Sequence, residues 1–291
     1  MHKSGFINII GNPNVGKSTL INKLVGEQLS IITSKVQTTR HRILGIVNGD
    51  NFQLVFSDTP GIIKPAYSLQ KSMMDFVKEA IEDADIILYV IEMGEKINIE
   101  KKLHQKFTDG TVPVMILINK IDLSTQNEVD LTIQTIQELY PKSEVFAISA
   151  LKNFNIESVL NRLIDLVPLS PPYFPKDQFT DKPERFFVNE ILRQKIFMYY
   201  DKEIPYSVEV QTEEFIEKPS IIKLRCYIIV ERESQKGIII GHRGIALKKI
   251  GSKARKDLEV FFKKKIFIEI KVKVSKNWRS SDIELKKFGY K

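Results

Sequence analysis

Short apolar runs alternate, along the first part of the chain, with segments whose apolar positions recur at helical spacing. FINII, FQLVFSD, IILYVIE, PVMILIN and EVFAIS are each nearly all apolar and bounded by polar or turn residues. That pattern predicts strands buried on both faces. Between them lie amphipathic stretches such as LQKSMMDFVKEAIEDAD. Alternating strand and helix predicts a doubly wound α/β sheet, which places ligands at the carboxyl ends of its strands. The stretch Thr33–Arg42 has neither period and is expected to be a mobile loop.

The pattern changes after a proline-rich stretch. Five of the twelve prolines, Pro168, Pro171, Pro172, Pro175 and Pro183, fall in VPLSPPYFPKDQFTDKP. Proline continues neither a helix nor a central ladder, so residues 169–185 are expected to link a domain of residues 1–168 to one of residues 186–291. RFFVNEILRQKIFMYY then reads as a helix, and YSVEVQTEEF and IIKLRCYIIVE as strands. In the second of these, Ile222, Leu224, Cys226, Ile228 and Val230 share a face. KGIII and the tetrapeptide GHRG follow, and then a helix over Ile245–Phe262. Its apolar positions Leu247, Ile250, Ala254, Leu258 and Phe261 form one stripe. A final strand, IFIEIKVKV, alternates, with Ile266, Ile268, Ile270, Val272 and Val274 inward and Glu269, Lys271 and Lys273 outward. The second half is a small α+β domain.

Composition sharpens this picture. A chain of 291 residues is long for one core and suits two. Cys226 is the only cysteine, which rules out an internal disulfide and points to a reducing compartment. The longest apolar run, Ile86 to Ile91, is far below the roughly 18 residues of a bilayer span. The N-terminus enters a strand pattern directly, so no cleavable signal is expected and a cytoplasmic location is. The net charge of +8 is unevenly placed: residues 1–185 carry 20 basic and 22 acidic side chains, and residues 186–291 carry 24 and 14. The basic half suits a polyanion, because clustered Lys and Arg gain affinity by releasing condensed counterions. Charge alone does not separate RNA, DNA and acidic lipid.

Chemistry enters at GNPNVGKS, the residues Gly11, Asn12, Pro13, Asn14, Val15, Gly16, Lys17 and Ser18, followed by Thr19. A strand precedes this G-x-x-x-x-G-K-S loop and a helix follows. Such a loop turns successive backbone N–H groups toward a β-phosphate at a helix N-terminus. Lys17 supplies charge to the β- and γ-phosphates, and the Ser18 hydroxyl reaches Mg²⁺. NKID, the residues Asn119, Lys120, Ile121 and Asp122, closes the apolar run VMILI. A carboxylate at Asp122 can accept from N1–H and the N2 amino group of guanine, two donors that adenine lacks. Asn119 is expected to brace the loop and touch the base edge, with the stem of Lys120 over the purine. At the next strand's end, Ser149 and Ala150 are expected at the base, with the Ala150 N–H on guanine O6. DTPG, the residues Asp58, Thr59, Pro60 and Gly61, ends another strand. Asp58 would hold Mg²⁺ through water and Gly61 would bond the γ-phosphate. Thr38 and Thr39 are the candidates to complete the metal shell, Thr39 preferred.

Together GNPNVGKS, QTTRH, DTPGI, NKID and ISA resemble the translation-factor-related GTPases, in the branch that contains the Era family. The second half is similar to a type II KH domain in its order of helix, two strands, GHRG, long helix and strand. The resemblance implies a GTPase that acts as an assembly factor of the small ribosomal subunit. Its KH domain would bind single-stranded RNA at the 3′ end of the small-subunit ribosomal RNA, and a monomer peripherally associated with the inner membrane is implied. A GxxG loop lets backbone and phosphate approach closely and clamps about four nucleotides. Gly241, His242, Arg243 and Gly244 would form that loop, with Lys248, Lys249 and Lys253 beside it and Arg255 and Lys256 further along. Where Ras-like proteins place a water-orienting glutamine, this chain has Ile62, so no side chain is assigned as general base and hydrolysis is expected to be slow or to borrow a group from elsewhere. Asn14 matches the asparagine that helps hold K⁺ in related GTPases.

Overall fold

The computed structural model describes residues 1–95 and 107–290, so Lys291 of the ending LKKFGYK lies outside the described residues. The alternating runs of the first half close into one sheet. β1 (Lys3–Ile10), β2 (Ile43–Asn48), β3 (Phe52–Asp58), β4 (Ile86–Glu92), β5 (Val114–Asn119) and β6 (Glu144–Ala147) lie in the order β2-β3-β1-β4-β5-β6. All neighbours are parallel except β2 and β3, which pair antiparallel. Ile7, Ile9, Leu54, Phe56, Leu88, Val90, Met115 and Leu117 point to one face. They pack there with Leu20, Ile21 and Leu24 of α1 (Lys17–Val25) and with Ile156, Val159 and Leu163 of α4 (Ile156–Leu166). The residues between them, such as Ile10, Val55, Ile87, Tyr89 and Ile116, are buried on the opposite face. Continuous apolar runs are what strands covered on both sides require. Between β3 and β4 runs α2 (Ser68–Glu82), and between β5 and β6 α3 (Gln126–Leu139).

The strand β2 has no counterpart among the expected elements. Its sequence ILGIVN breaks its apolar run at Gly45, where a Cβ would meet Leu29 Cδ1 at 2.4 Å and Val25 Cγ2 at 2.8 Å. Close packing against the α1 region, not strand propensity, selects that glycine.

Two compact units result, one of residues 1–64 with 73–181, the other of residues 65–72 with the chain from Lys182 onward. The proline-rich stretch, expected as a linker, is instead laid on the first unit as far as Asp181. Tyr173 stacks on Phe6 at 5.1 Å between ring centroids, and the Tyr173 and Phe174 N–H groups donate to Gln53 Oε1 at 2.7 and 2.9 Å. The Ile46 N–H reaches the Phe179 carbonyl at 2.9 Å. Proline removes donors from this strap without removing its carbonyls, so it pairs through the donors that remain.

The second unit opens with α5 (Glu184–Tyr199) and a short α6 (Ile204–Ser207). Its sheet has the order β7 (Glu209–Glu217), β8 (Ile221–Val230), β9 (Lys265–Val274), antiparallel then parallel. A parallel pair needs a crossover, and here it is α7 (Glu233–Ile240), the GHRG turn and α8 (Ile245–Phe262). Ile222, Leu224, Cys226, Ile228 and Val230 meet Ile250, Ala254 and Leu258 in the core, with Ile266, Ile268, Ile270, Val272 and Val274 alongside. KGIII falls within α7, whose start is fixed by Gln235 Oε1 accepting from the Glu231 and Arg232 N–H groups at 3.0 and 3.1 Å. The chain ends in α9 (Asp282–Lys287), with Trp278 fully buried and donating from Nε1 to the Ser207 carbonyl at 3.0 Å. Among the described residues no helix is long and apolar enough to cross a membrane.

Candidate functional site

At the carboxyl ends of β1, β3 and β5 and beyond β6 lies a cavity of about 460 Å³, a volume suited to a nucleotide-sized ligand. The phosphate loop supplies its floor. Gly11 has φ 155° and a Cβ there would strike the Val90 carbonyl oxygen at 2.2 Å; Gly16 has φ 100° and would strike Asn119 Nδ2 at 2.2 Å. Both glycines are therefore dictated by the crowding of the strand ends. Val15 is a core residue, 1% exposed, and offers only its backbone. Thr19 lines the cavity with Pro13, Asn14, Gly16, Lys17 and Ser18.

Lys17 is buried, and its ammonium donates to the Gly11 and Asn12 carbonyls at 3.0 and 2.7 Å. Burial pulls it down to about 8, against the raising effect of the Asp58 and Glu95 charges. Asp58 is pushed the other way, upward, by the same burial; hydrogen bonds to its carboxylate and the Lys17 charge oppose the rise. Two opposite charges held dry are each drawn toward neutrality. A polyanionic ligand with its counterion relieves both.

A hard-oxygen cluster sits beside them. Ser18 Oγ donates to Asp58 Oδ2 at 2.8 Å and lies 2.9 Å from Thr39 Oγ1, which is 3.4 Å from the same Asp58 oxygen. Asp58 Oδ1 is buried with no hydrogen-bond partner. Oxygen donors with an unsatisfied carboxylate oxygen are the chemistry Mg²⁺ takes. Thr38 is turned away, donating to the Lys35 carbonyl at 2.6 Å.

Among the expected contacts, Thr59, Pro60 and the Ala150 N–H come out differently. The Thr59 hydroxyl donates to the Ile9 carbonyl at 2.6 Å and is fully buried, so it ties β3 to β1 and does not face ligand. Pro60 is buried beside it, whereas Gly61 lines the cavity against Pro13, where a Cβ would lie 2.7 Å from the Pro13 backbone. The carboxamide of Asn119 ties two loops together, Nδ2 donating to the Val15 carbonyl at 2.7 Å and Oδ1 accepting from the Ala150 N–H at 2.9 Å. Asn119 thus braces the loops, as expected, and itself lines the cavity, while the Ala150 N–H expected on guanine O6 points at Asn119. Asp122 is exposed at the cavity, oriented by Ser149 Oγ donating at 2.6 Å. Lys120, in the left-handed region at φ 65°, pairs with Glu92, while Ile121 contributes backbone to the same turn. Leu123 and Leu151, 77% and 71% exposed, also line the cavity, as do Ile31 and Ile32. No sequence motif marks these four, although Leu123 and Leu151 directly follow Asp122 and Ala150, the last residues of NKID and ISA. Ile62 is half-buried and donates its N–H to the Gly11 carbonyl at 3.1 Å.

The second unit holds a groove of about 490 Å³ between α8 and β9, lined by Gly244, Leu247, Lys248, Arg255, Phe267 and neighbours. Gly241 and Gly244 both have positive φ, 70° and 75°, and around Gly244 nothing lies within 4 Å of a Cβ position. His242 and Arg243 between them are exposed, Arg243 at φ 49°. Lys248 faces the groove. Lys249 lies over the Tyr199 ring at 4.9 Å, and Lys253 is exposed but off the groove lining. The reason is helical phase: residues 248, 251, 252 and 255 share one face, and 249 and 253 the next.

Fold and pocket define a P-loop nucleotide-binding unit followed by a KH-type nucleic-acid-binding unit. Residues 6–120 match the family described as 50S ribosome-binding GTPase, and residues 203–279 the KH domain. The chain is 41% identical to the GTPase Era of Clostridium kluyveri, covering 100% of both, and 44% identical to that of Geotalea daltonii, covering 99% and 97%. It is similar to two solved structures at TM-score 0.92 and 37% identity. One is Era in complex with MgGDPNP and nucleotides 1506–1542 of 16S ribosomal RNA, covering 100% of this chain and 99% of that one. The other is an Aquifex aeolicus Era variant bound to GDP·AlF₄⁻, covering 99% of each. The chain belongs to the Era family of GTPases, and its reaction is the hydrolysis of GTP.

Proposed function

We propose that this GTPase binds single-stranded small-subunit ribosomal RNA in the groove beside GHRG, as an assembly factor of that subunit, and that its nucleotide state tunes the binding. The observation carrying the RNA reading is the pair of positive-φ glycines that bound GHRG, the second of which lines a groove that presents Lys248, Arg255 and the exposed ring of Phe267. Backbone without side chains at the loop ends admits a phosphate, and an exposed aromatic ring offers a base a stacking face. The related Era bound to 16S ribosomal RNA supports the choice of RNA. A monomer in the cytoplasm is the simplest working form, and contact with the inner membrane has support only in the basic second half. Crosslinking in lysate and sequencing the co-purified RNA should return the 3′ end of small-subunit ribosomal RNA; recovery of transfer or messenger RNA instead would reject the assignment.

On the nucleotide side, Ser18, Thr39 and Asp58 would hold Mg²⁺, whose charge neutralises the phosphates when bound. Lys17 binds and orients the phosphates, the loop N–H groups screen them from water, and Asp122 selects guanine. Ile62 cannot orient water, so hydrolysis is slow from these residues alone. Asn14, exposed in the loop at φ 65°, donates from Nδ2 to the Ser34 carbonyl at 3.1 Å. Its carboxamide oxygen is the end suited to a K⁺ ion, which would add positive charge at the phosphates. Asn14→Ala is expected to abolish any rate difference between K⁺ and Na⁺ buffers with GDP affinity nearly intact. Equal wild-type rates in the two buffers rule the K⁺ role out.

A further inference from the structure

The turn that follows β4 belongs to no motif, yet it touches both loops that grip the nucleotide. The sheet order explains why: β4 lies between β1 and β5, so its carboxyl end is the common neighbour of the phosphate loop after β1 and the base-reading loop after β5. Two acids sit there. One oxygen of Glu95 accepts from Asn12 Nδ2, and the other accepts from the Glu92 N–H at 3.0 Å. Glu92 in turn carries Lys120 in an ion pair whose side chains are only 42% and 34% exposed.

We propose that Glu95 and Glu92 are positioning residues of the nucleotide site, Glu95 acting through Asn12 on the phosphate loop and Glu92 through Lys120 on the base side. Asn12 is where the leverage lies. Its side chain is held by Glu95 while its carbonyl accepts from the Lys17 ammonium at 2.7 Å, so the position of Asn12 sets where Lys17 rests. An acid near a phosphate site repels the ligand unless it earns its place by holding something, and here both oxygens are occupied. Lys120 has the mirror-image problem. Its left-handed backbone fixes the Cα, and only a partner at the far end keeps its four-carbon stem along the cavity wall.

The test is a double-mutant cycle on the full chain, read as the release rate of a fluorescent GDP analogue. Glu95→Ala is expected to speed release about tenfold, the scale of one hydrogen bond to a charged group, and Asn12→Ala to do nearly the same. If Glu95 acts through Asn12, the double variant releases no faster than the faster single one. Glu95→Gln, which keeps one oxygen acceptor for Asn12, is expected to return to within about threefold of wild type. Multiplying effects in the double variant, or a wild-type rate in Glu95→Ala, overturns the proposal. Should Glu95→Ala fail to fold, a Gln variant as fast as Asn12→Ala overturns it equally. The cycle of Glu92→Gln with Lys120→Ala must show the same non-additivity, and additive behaviour there removes the base-side half.

Discussion

Lys17→Ala is expected to weaken GTP and GDP binding by about a thousandfold, the scale of removing one partner from a buried charge pair, while leaving the nucleotide-free fold standing. The two effects have opposite signs for one reason. Burial lowers the Lys17 ammonium from 10.5 to about 8. A lysine whose folded value lies below its unfolded one costs the fold stability in its charged form. That cost is absent above pH 10.5, grows as the pH falls to about 8, and is complete at neutral pH. Its size is on the order of 3 kcal/mol. The alanine variant escapes it, so its thermal midpoint relative to wild type should be highest near pH 7 and fall back as the pH rises toward 10. Titration with a fluorescent nucleotide and unfolding curves across that range check both halves. Loss of the folded circular-dichroism signal would mark Lys17 as structural.

The second large effect is expected in the other unit. Aspartates at His242 and Arg243 place two negative charges on an exposed turn and leave Gly241 and Gly244 in place. Aspartate tolerates the left-handed backbone that Arg243 already adopts at φ 49°, so the turn should survive. RNA affinity should fall by about a hundredfold or more at low salt, and the slope of affinity against salt should flatten as phosphate contacts are lost. An unchanged affinity in filter binding or anisotropy would move the RNA off this loop.

The sequence made the sheet, the helices and most of the pocket legible because those features are local. Nearly all-apolar runs such as IILYVIE, short and rich in β-branched residues, read as buried strands, and the stripe Leu247, Ile250, Ala254, Leu258 fixes a helical face. Thr39 and Asp122 line the cavity for reasons that motif spacing already contained. What was not legible depends on neighbours distant in sequence. β2 hides because Gly45 is chosen by Leu29 and Val25. The proline stretch reads as a linker because its partners, Gln53 and Phe6, lie over 100 residues away. The Ala150 N–H reads as a contact to guanine O6 because its partner, the Asn119 carboxamide oxygen, belongs to another loop 31 residues away. Lys248 and Lys249 are adjacent in sequence, and only the helical phase sends one to the groove and the other to Tyr199.

The central claim is that one chain joins a nucleotide switch to an RNA clamp, and the affinity of the full chain for a short single strand of small-subunit RNA tests it most directly when measured twice, with a non-hydrolysable GTP analogue and with GDP. We expect the two forms to differ by about fivefold or more, within the usual range of coupling between sites. By reciprocity the RNA must then shift the preference between the analogue and GDP by the same factor. Identical RNA affinity in the two nucleotide states would contradict the switch.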